Sequence, residues 1–296
     1  MQNQKWSLST FVDLTRFEHS LFGLPFIFAG ALLPFALQQV AWTINWLWLI
    51  PAFLAARISG MAFNQLIDRD LDAHNPRTQN RPLPSGRATL RQARWIAWSG
   101  LLAFVLICSQ INTLCFFLAP CAACLIYIYA YLKRFHVICH FVLGIVHFLG
   151  PVMASIAIAG QWHPETLLLG LAALGSISGL DIVYAIQDYK FDRSHGLYSL
   201  PARLGLSKSL DIAKCLHVLT VLALVVLGCV TPLASIYWGA PLAAALLFLD
   251  FHQKIKPLVD APELSLKITP LFFRCNVSVA LSTFLFVTLG VFLCRG

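Results

Sequence analysis

The sequence predicts an all-α membrane protein, and three observations carry that prediction: the 296-residue chain is 58% hydrophobic and only 11% charged, apolar runs recur along its whole length, and basic residues are confined to alternate loops. A soluble domain carries about 25% charged residues, so this chain has too few polar side chains to cover a globule in water. A mean hydropathy of +0.74 says the same.

Crossing a hydrocarbon layer about 30 Å thick takes about 20 apolar residues in a helix. Runs at 20–39, 44–63, 95–110, 112–132, 138–160, 165–186, 212–232, 234–251 and 272–294 meet or approach that length, so nine transmembrane helices around a central cavity are expected. The runs are continuous rather than alternating, which is the pattern of helices and not of barrel strands. The first follows polar and mixed residues and has no small-residue cleavage site behind it, so it reads as a retained span rather than a signal peptide. No linker or low-complexity stretch divides residues 1–296, which are expected to form a single domain.

Lys5 and Arg16 precede the first run, and the loops after runs two, four, six and eight carry Arg69 to Arg94, Lys133 and Arg134, Lys190 to Lys214, and Lys254 to Arg274. The alternate loops carry no Lys or Arg; only Arg57, deep inside a run, and Arg295 at the far end depart from the rule. Positively charged loops stay in the cytoplasm, so the N-terminus is expected there. The bacterial inner membrane is the expected home. The net charge of +8 then belongs to a surface facing anionic lipid and calls for no nucleic acid partner; no protein partner is deducible. Cys121 and Cys124 form the one close cysteine pair, mid-run and without nearby His, which is expected to be core packing rather than a metal or redox site.

Of 13 acidic residues, six stand in two short segments. The first contains Asn64, Asp68 and Asp72 at i, i+4 and i+8; the second contains Asp181, Tyr184, Asp188 and Asp192 at steps of three, four and four. On a helix each set shares one face. Carboxylates one turn apart repel, and burying them near hydrocarbon costs several kcal/mol, of order 3, unless a cation compensates. Mg²⁺ takes hard oxygen ligands and is usually held by one or two carboxylates with phosphate oxygens completing its shell. Asn64, Asp68, Asp72, Asp188 and Asp192 are therefore the candidate metal ligands, with Asp181 beside them in the candidate catalytic set, and Arg77, Lys133, Arg134 and Lys190 are candidate diphosphate ligands. Solvated Asp residues balancing nearby Arg would be the bland account of either segment alone; the matched spacing of two segments argues against it.

The segment from Asn64 to Asp72 with the loop Arg77-Thr78-Gln79-Asn80-Arg81-Pro82-Leu83-Pro84-Ser85-Gly86, and the segment from Tyr184 to Asp192, resemble the signatures of the UbiA-like membrane prenyltransferase family. Tyr129 to Arg134 and Phe273 to Asn276 extend the likeness. Gln65 departs from it, standing where the commonest signature has Asp. The resemblance implies nine transmembrane helices and Mg²⁺-dependent transfer of a polyprenyl group from polyprenyl diphosphate to an aromatic ring. Similarity to the 4-hydroxybenzoate subgroup makes that acid the first expected acceptor, a dihydroxynaphthoate the second, and a lipid or small-molecule carrier the alternative of another class. Arg57, costly inside a span and two turns before Asn64, is expected to meet the acceptor carboxylate. Arg16 is a weaker candidate for the same task, and Tyr129 and Tyr184 are candidates to shield an allylic cation.

Overall fold

A computed structural model describes residues 6–16, 20–38, 40–258 and 264–294. Lys5 and Arg295 of the charge pattern lie outside them. All regular structure among the described residues is helical: α1 (Leu8–Thr15), α2 (Ser20–Leu32), α3 (Pro34–Leu37), α4 (Asn45–His74), α5 (Leu90–Ile111), α6 (Thr113–Leu132), α7 (Cys139–Ala159), α8 (Glu165–Ala185), α9 (Tyr189–Ser194), α10 (Leu200–Leu204), α11 (Leu206–Val230), α12 (Gly239–Ile255) and α13 (Leu264–Leu293). Seven of these helices or helical stretches are long and apolar enough to cross a membrane: those over Trp46–His74, Leu90–Ile111, Thr113–Leu132, Cys139–Ala159, Glu165–Ser194, Leu206–Val230 and Lys267–Leu293.

The other two expected spans are shorter for local reasons. In the first, Pro34 opens α3 and brings no N–H to continue the ladder from α2. The eighth, α12, has 17 residues, about 25 Å at 1.5 Å per residue. Helix α4 is the opposite case. Its 30 residues reach about 45 Å, more than the hydrocarbon thickness, and Asp68 and Asp72 stand in its C-terminal turns.

The chain packs as two compact units, Met1–Ser20 with Leu47–Tyr131, and Leu21–Trp46 with Leu132–Gly296. In the first unit, Leu14 of α1 joins Leu83, Ala88 and Ala93 in one buried cluster, and Ala62, Phe63, Ala97 and Ala130 form another. Small residues bring α4 and α5 together: Gly100 stands against Ala55 and Ser59, and Ser59 Oγ donates to the Ala97 carbonyl at 2.7 Å. A capping box between Thr89 and Gln92 starts α5.

In the second unit α8 is the buried core helix. Ser176, Ser178, Gly175 and Gly179 let α7 and α11 approach it closely, as small residues do where lipid supplies no hydrophobic drive. A Cβ on Gly144 of α7 would overlap Ser178 Oγ, and Thr220 Oγ1 of α11 donates to the Ala172 carbonyl at 3.1 Å. His217 is packed, at 2.8 Å from His252 across α11 and α12 and stacked on Phe248. Cys121 and Cys124 are both exposed on α6, which corrects their assignment to the core.

Candidate active site

Helix α4 is continuous from Arg57 through Asn64, Asp68 and Asp72, so at about 100° per residue these four side chains fall within a sector of about 80°. Ala55, Ser59, Ala62 and Phe63, which pack on the helix's neighbours, occupy the opposite side. Arg57, Asn64 and Asp68 are half-buried and Asp72 is buried. Asp70 projects away and pairs with its neighbour Arg69 at 2.8 Å in an exposed position.

Asp72 accepts from Arg81 Nη1 at 2.8 Å, and its carbonyl accepts from Thr78 Oγ1 at 3.2 Å. The loop after α4 thus folds back onto the last carboxylate of the face. Arg81 is half-buried there, whereas the Arg77 side chain is exposed and its backbone N–H donates to Asn75 Oδ1 at 2.9 Å.

Gln65 stands about 20° round α4 from Asp72, but its amide is turned to α1. It is fully buried, and its Nε2 donates to the carbonyls of Asp13 at 3.0 Å and Leu14 at 2.8 Å. These belong to the last turn of α1, whose carbonyls have no partner within the helix. Arg87 Nη1 holds the Asp13 carboxylate at 2.6 Å. The docked helix ends at Arg16, the one non-glycine residue with positive φ (45°) among those described. Tyr129, on α6, is half-buried.

The second acidic segment is not one regular helix. Helix α8 ends at Ala185, Ile186–Asp188 form a 3₁₀ turn, and α9 begins at Tyr189. Three residues at about 120° rather than 100° each advance the later carboxylates by about 60°, which sets Asp192 about 80° round from Asp181, the same spread as from Asn64 to Asp72. Asp181 is half-exposed and lies 2.7 Å from His140 Nδ1 of α7. The other ring nitrogen of His140 accepts from the Leu200 backbone N–H at 3.3 Å, leaving Nδ1 to carry the proton and donate to the carboxylate. Ser178 Oγ donates to the His140 carbonyl at 3.0 Å, completing the clamp.

Asp188 and Asp192 are buried, at 6% and 0% exposure. Lys133 Nζ lies 2.8 Å from Asp192 Oδ1, yet neither Asp192 oxygen has an aligned hydrogen bond among the described residues. The contact is one of charge, and the hydrogen-bonding capacity of the Asp192 oxygens is unspent. The Lys133 carbonyl accepts from the Tyr198 N–H at 2.8 Å, fixing the chain that carries Lys133 and the half-buried Arg134. Lys190 is exposed. Tyr184 packs its ring on Phe272 with centroids 4.6 Å apart. Asn276 is buried, and its Oδ1 has no hydrogen-bond partner among the described residues.

Among the described residues no three His, Cys, Asp or Glu side chains converge as a ready metal cage. What the segments offer is oxygen ligands in small numbers, with a buried carboxylate at Asp192 whose hydrogen bonds are unmade. That donor set fits Mg²⁺ arriving with phosphate oxygens of its own.

The sequence model of the UbiA prenyltransferase family matches residues 23–277. The chain belongs to the UbiA prenyltransferase family. It is 30% identical over 202 residues to a 4-hydroxybenzoate octaprenyltransferase from Francisella tularensis subsp. novicida (68% of this chain, 71% of the relative), and 32% identical over 215 residues to one from Salmonella paratyphi C (71% and 73%). The apo structure of a UbiA homologue from Aeropyrum pernix K1 superposes with a TM-score of 0.77 at 28% identity, covering 94% of this chain and 98% of that one. A UbiA homologue from Archaeoglobus fulgidus bound to DMAPP and Mg²⁺ shares the fold with a TM-score of 0.73 at 21% identity, covering 94% and 99%. The protein is thus an integral membrane enzyme of the UbiA family, a prenyltransferase. For this UbiA member, sequence reasoning missed His140 altogether. Its only signal was a histidine at the entrance of an apolar run, 41 positions from its carboxylate partner.

Proposed function

We propose that the enzyme transfers a polyprenyl group from polyprenyl diphosphate to the ring of 4-hydroxybenzoate in quinone biosynthesis, with Mg²⁺ as cofactor. The observation that carries this reading is the α4 face of Arg57, Asn64, Asp68 and Asp72 in a UbiA chain whose relatives bear the name 4-hydroxybenzoate octaprenyltransferase. The same fold holds a prenyl diphosphate and Mg²⁺ in the Archaeoglobus protein.

Asn64, Asp68 and Asp72 in one segment and Asp188 and Asp192 in the other serve as the metal ligands. Mg²⁺, when bound, neutralises charge on the departing diphosphate. Lys133 and Arg134, with Arg77 and Lys190 from the exposed rim, add fixed positive charge for the same oxygens. The allylic C–O bond breaks with its electron pair leaving on the diphosphate; the aromatic faces of Tyr129 and Tyr184 shield the resulting carbocation from water. A ring carbon of the acceptor forms the new C–C bond and its proton departs to a base, restoring aromaticity. Arg57 pairs with the acceptor carboxylate, Arg16 is the second cation offered to it, and Asp181 is held in orientation by His140. We read residues 1–296 as one domain with nine crossings, the N-terminus and active site facing the cytoplasm, in a bacterial inner membrane.

The test is prenylation by purified protein supplied with polyprenyl diphosphate, Mg²⁺ and, in parallel, 4-hydroxybenzoate or 1,4-dihydroxy-6-naphthoate. Product on 4-hydroxybenzoate, lost with EDTA and in Asp68→Ala and Asp188→Ala, is expected. Product only on the naphthoate would move the enzyme to menaquinone synthesis. Bound diphosphate with no product on either ring would refute the aromatic-acid reading and return the carrier alternative.

A further inference from the structure

The first three turns of α5 carry four side chains that the chemistry above does not use. Arg91, Arg94, Trp95 and Trp98 line one cleft of about 440 Å³. Both arginines are exposed, and neither has an ion-pair or hydrogen-bond partner among the described residues. Trp95 and Trp98 are 67% and 53% exposed, far more than tryptophan in a protein core. Trp98 is nonetheless held in place, edge-on to Phe63 with centroids 5.0 Å apart and 5.8 Å from Tyr127. Below it on the same stripe, at steps of four, Leu102 and Leu106 are also exposed, at 60% and 55%.

From the membrane boundary inward the stripe runs guanidinium, indole, aliphatic. Helix α5 has 22 residues, about 33 Å, so a helix that spans the bilayer sets its first turn at headgroup level, its Trp residues at the interface and its leucines among the acyl chains. The same order describes a phospholipid: phosphate, glycerol esters, hydrocarbon. The helix N-terminus adds partial positive charge, and residues 87–111 contain no Asp or Glu to offset it.

We propose that this cleft binds an anionic phospholipid of the surrounding bilayer, its phosphate against Arg91 and Arg94, its glycerol region against Trp95 and Trp98 and an acyl chain along Leu102 and Leu106. A bilayer lipid is the occupant, rather than the prenyl diphosphate substrate, because the stripe faces outward and offers no carboxylate for the cation that accompanies a diphosphate.

Native mass spectrometry of the full chain in detergent, titrated with phosphatidylglycerol and phosphatidylcholine of matched acyl chains, tests this. One bound phosphatidylglycerol preferred over phosphatidylcholine is expected. Arg91→Gln/Arg94→Gln should lower that preference by about fivefold per arginine, of order 25-fold together, with phosphatidylcholine binding unchanged as the check on folding. Arg91→Lys/Arg94→Lys should keep most of the preference, and Arg69→Gln, at another exposed arginine, all of it. Equal binding of the two lipids by the wild type, or a preference that survives the double Gln variant, overturns the proposal. Displacement of phosphatidylglycerol by inorganic phosphate at matched concentration would make this a free-anion site, and displacement by geranyl diphosphate a substrate port; either result also overturns it.

Discussion

Restoring Asp at position 65, the residue commonest in the family's signature, should damage this enzyme. Gln65 is fully buried and donates to two carbonyls at the end of α1, at 3.0 and 2.8 Å. An ionised carboxylate donates nothing, and it would face two carbonyl oxygens of the same sign. Two neutral hydrogen bonds lost at about 0.5–1.5 kcal/mol each give about 1–3 kcal/mol. The buried charge escapes a larger penalty only by taking up a proton. Gln65→Asp is therefore expected to destabilise the protein by about 3 kcal/mol, Gln65→Ala by about 2 kcal/mol. Thermal unfolding followed by tryptophan fluorescence in detergent measures both, with and without Mg²⁺. The expected result is a lower Tm for each variant and no extra protection of Gln65→Asp by Mg²⁺ relative to Gln65→Ala. A Gln65→Asp protein as stable as the wild type, or one that Mg²⁺ protects more strongly, would show that residue 65 faces the metal and that its contact with α1 is incidental.

Three further outcomes follow from the geometry. Lys133→Met leaves the fully buried Asp192 without its charge partner at 2.8 Å; because the lysine is 30% exposed, the loss should be about 1–3 kcal/mol, below that for a wholly buried pair, and diphosphate affinity should fall while the Mg²⁺ needed for half-maximal protection also falls. Arg57→Ala should raise the KM for 4-hydroxybenzoate at least tenfold, about 1.4 kcal/mol, with the KM for polyprenyl diphosphate nearly unchanged; equal loss of both in steady-state kinetics would point to a folding role. Gly144→Ala puts a methyl group onto Ser178 Oγ and close to the Leu174 carbonyl, so unfolding measurements should show a loss of about 1–3 kcal/mol, whereas Gly160→Ala, with no atom within 4 Å of its Cβ but φ at +71°, should lose about 1 kcal/mol from backbone strain alone.

What the chain determines by itself is what depends on neighbours along the chain. Hydropathy placed the long helices because lipid leaves a helix as the way to satisfy an isolated apolar backbone segment, and a spacing of four put Asn64, Asp68 and Asp72 on one face of α4 because that helix runs unbroken. The outward turn of Asp70 follows from the same period. Tertiary structure decided which charges meet. Nothing local marks His140 as the partner of Asp181, or Lys133 as that of Asp192, since each pair is brought together by packing between segments 41 and 59 residues apart. The pairing of Arg81 with Asp72 was made by the fold of the loop between them, and the burial of Gln65 by the docking of α1. Even the 3₁₀ turn at Ile186–Asp188 escapes a pattern argument, because no Pro or Gly announces it. Periodicity reports the angle at which a side chain leaves its helix; what waits in that direction is set by the other helices.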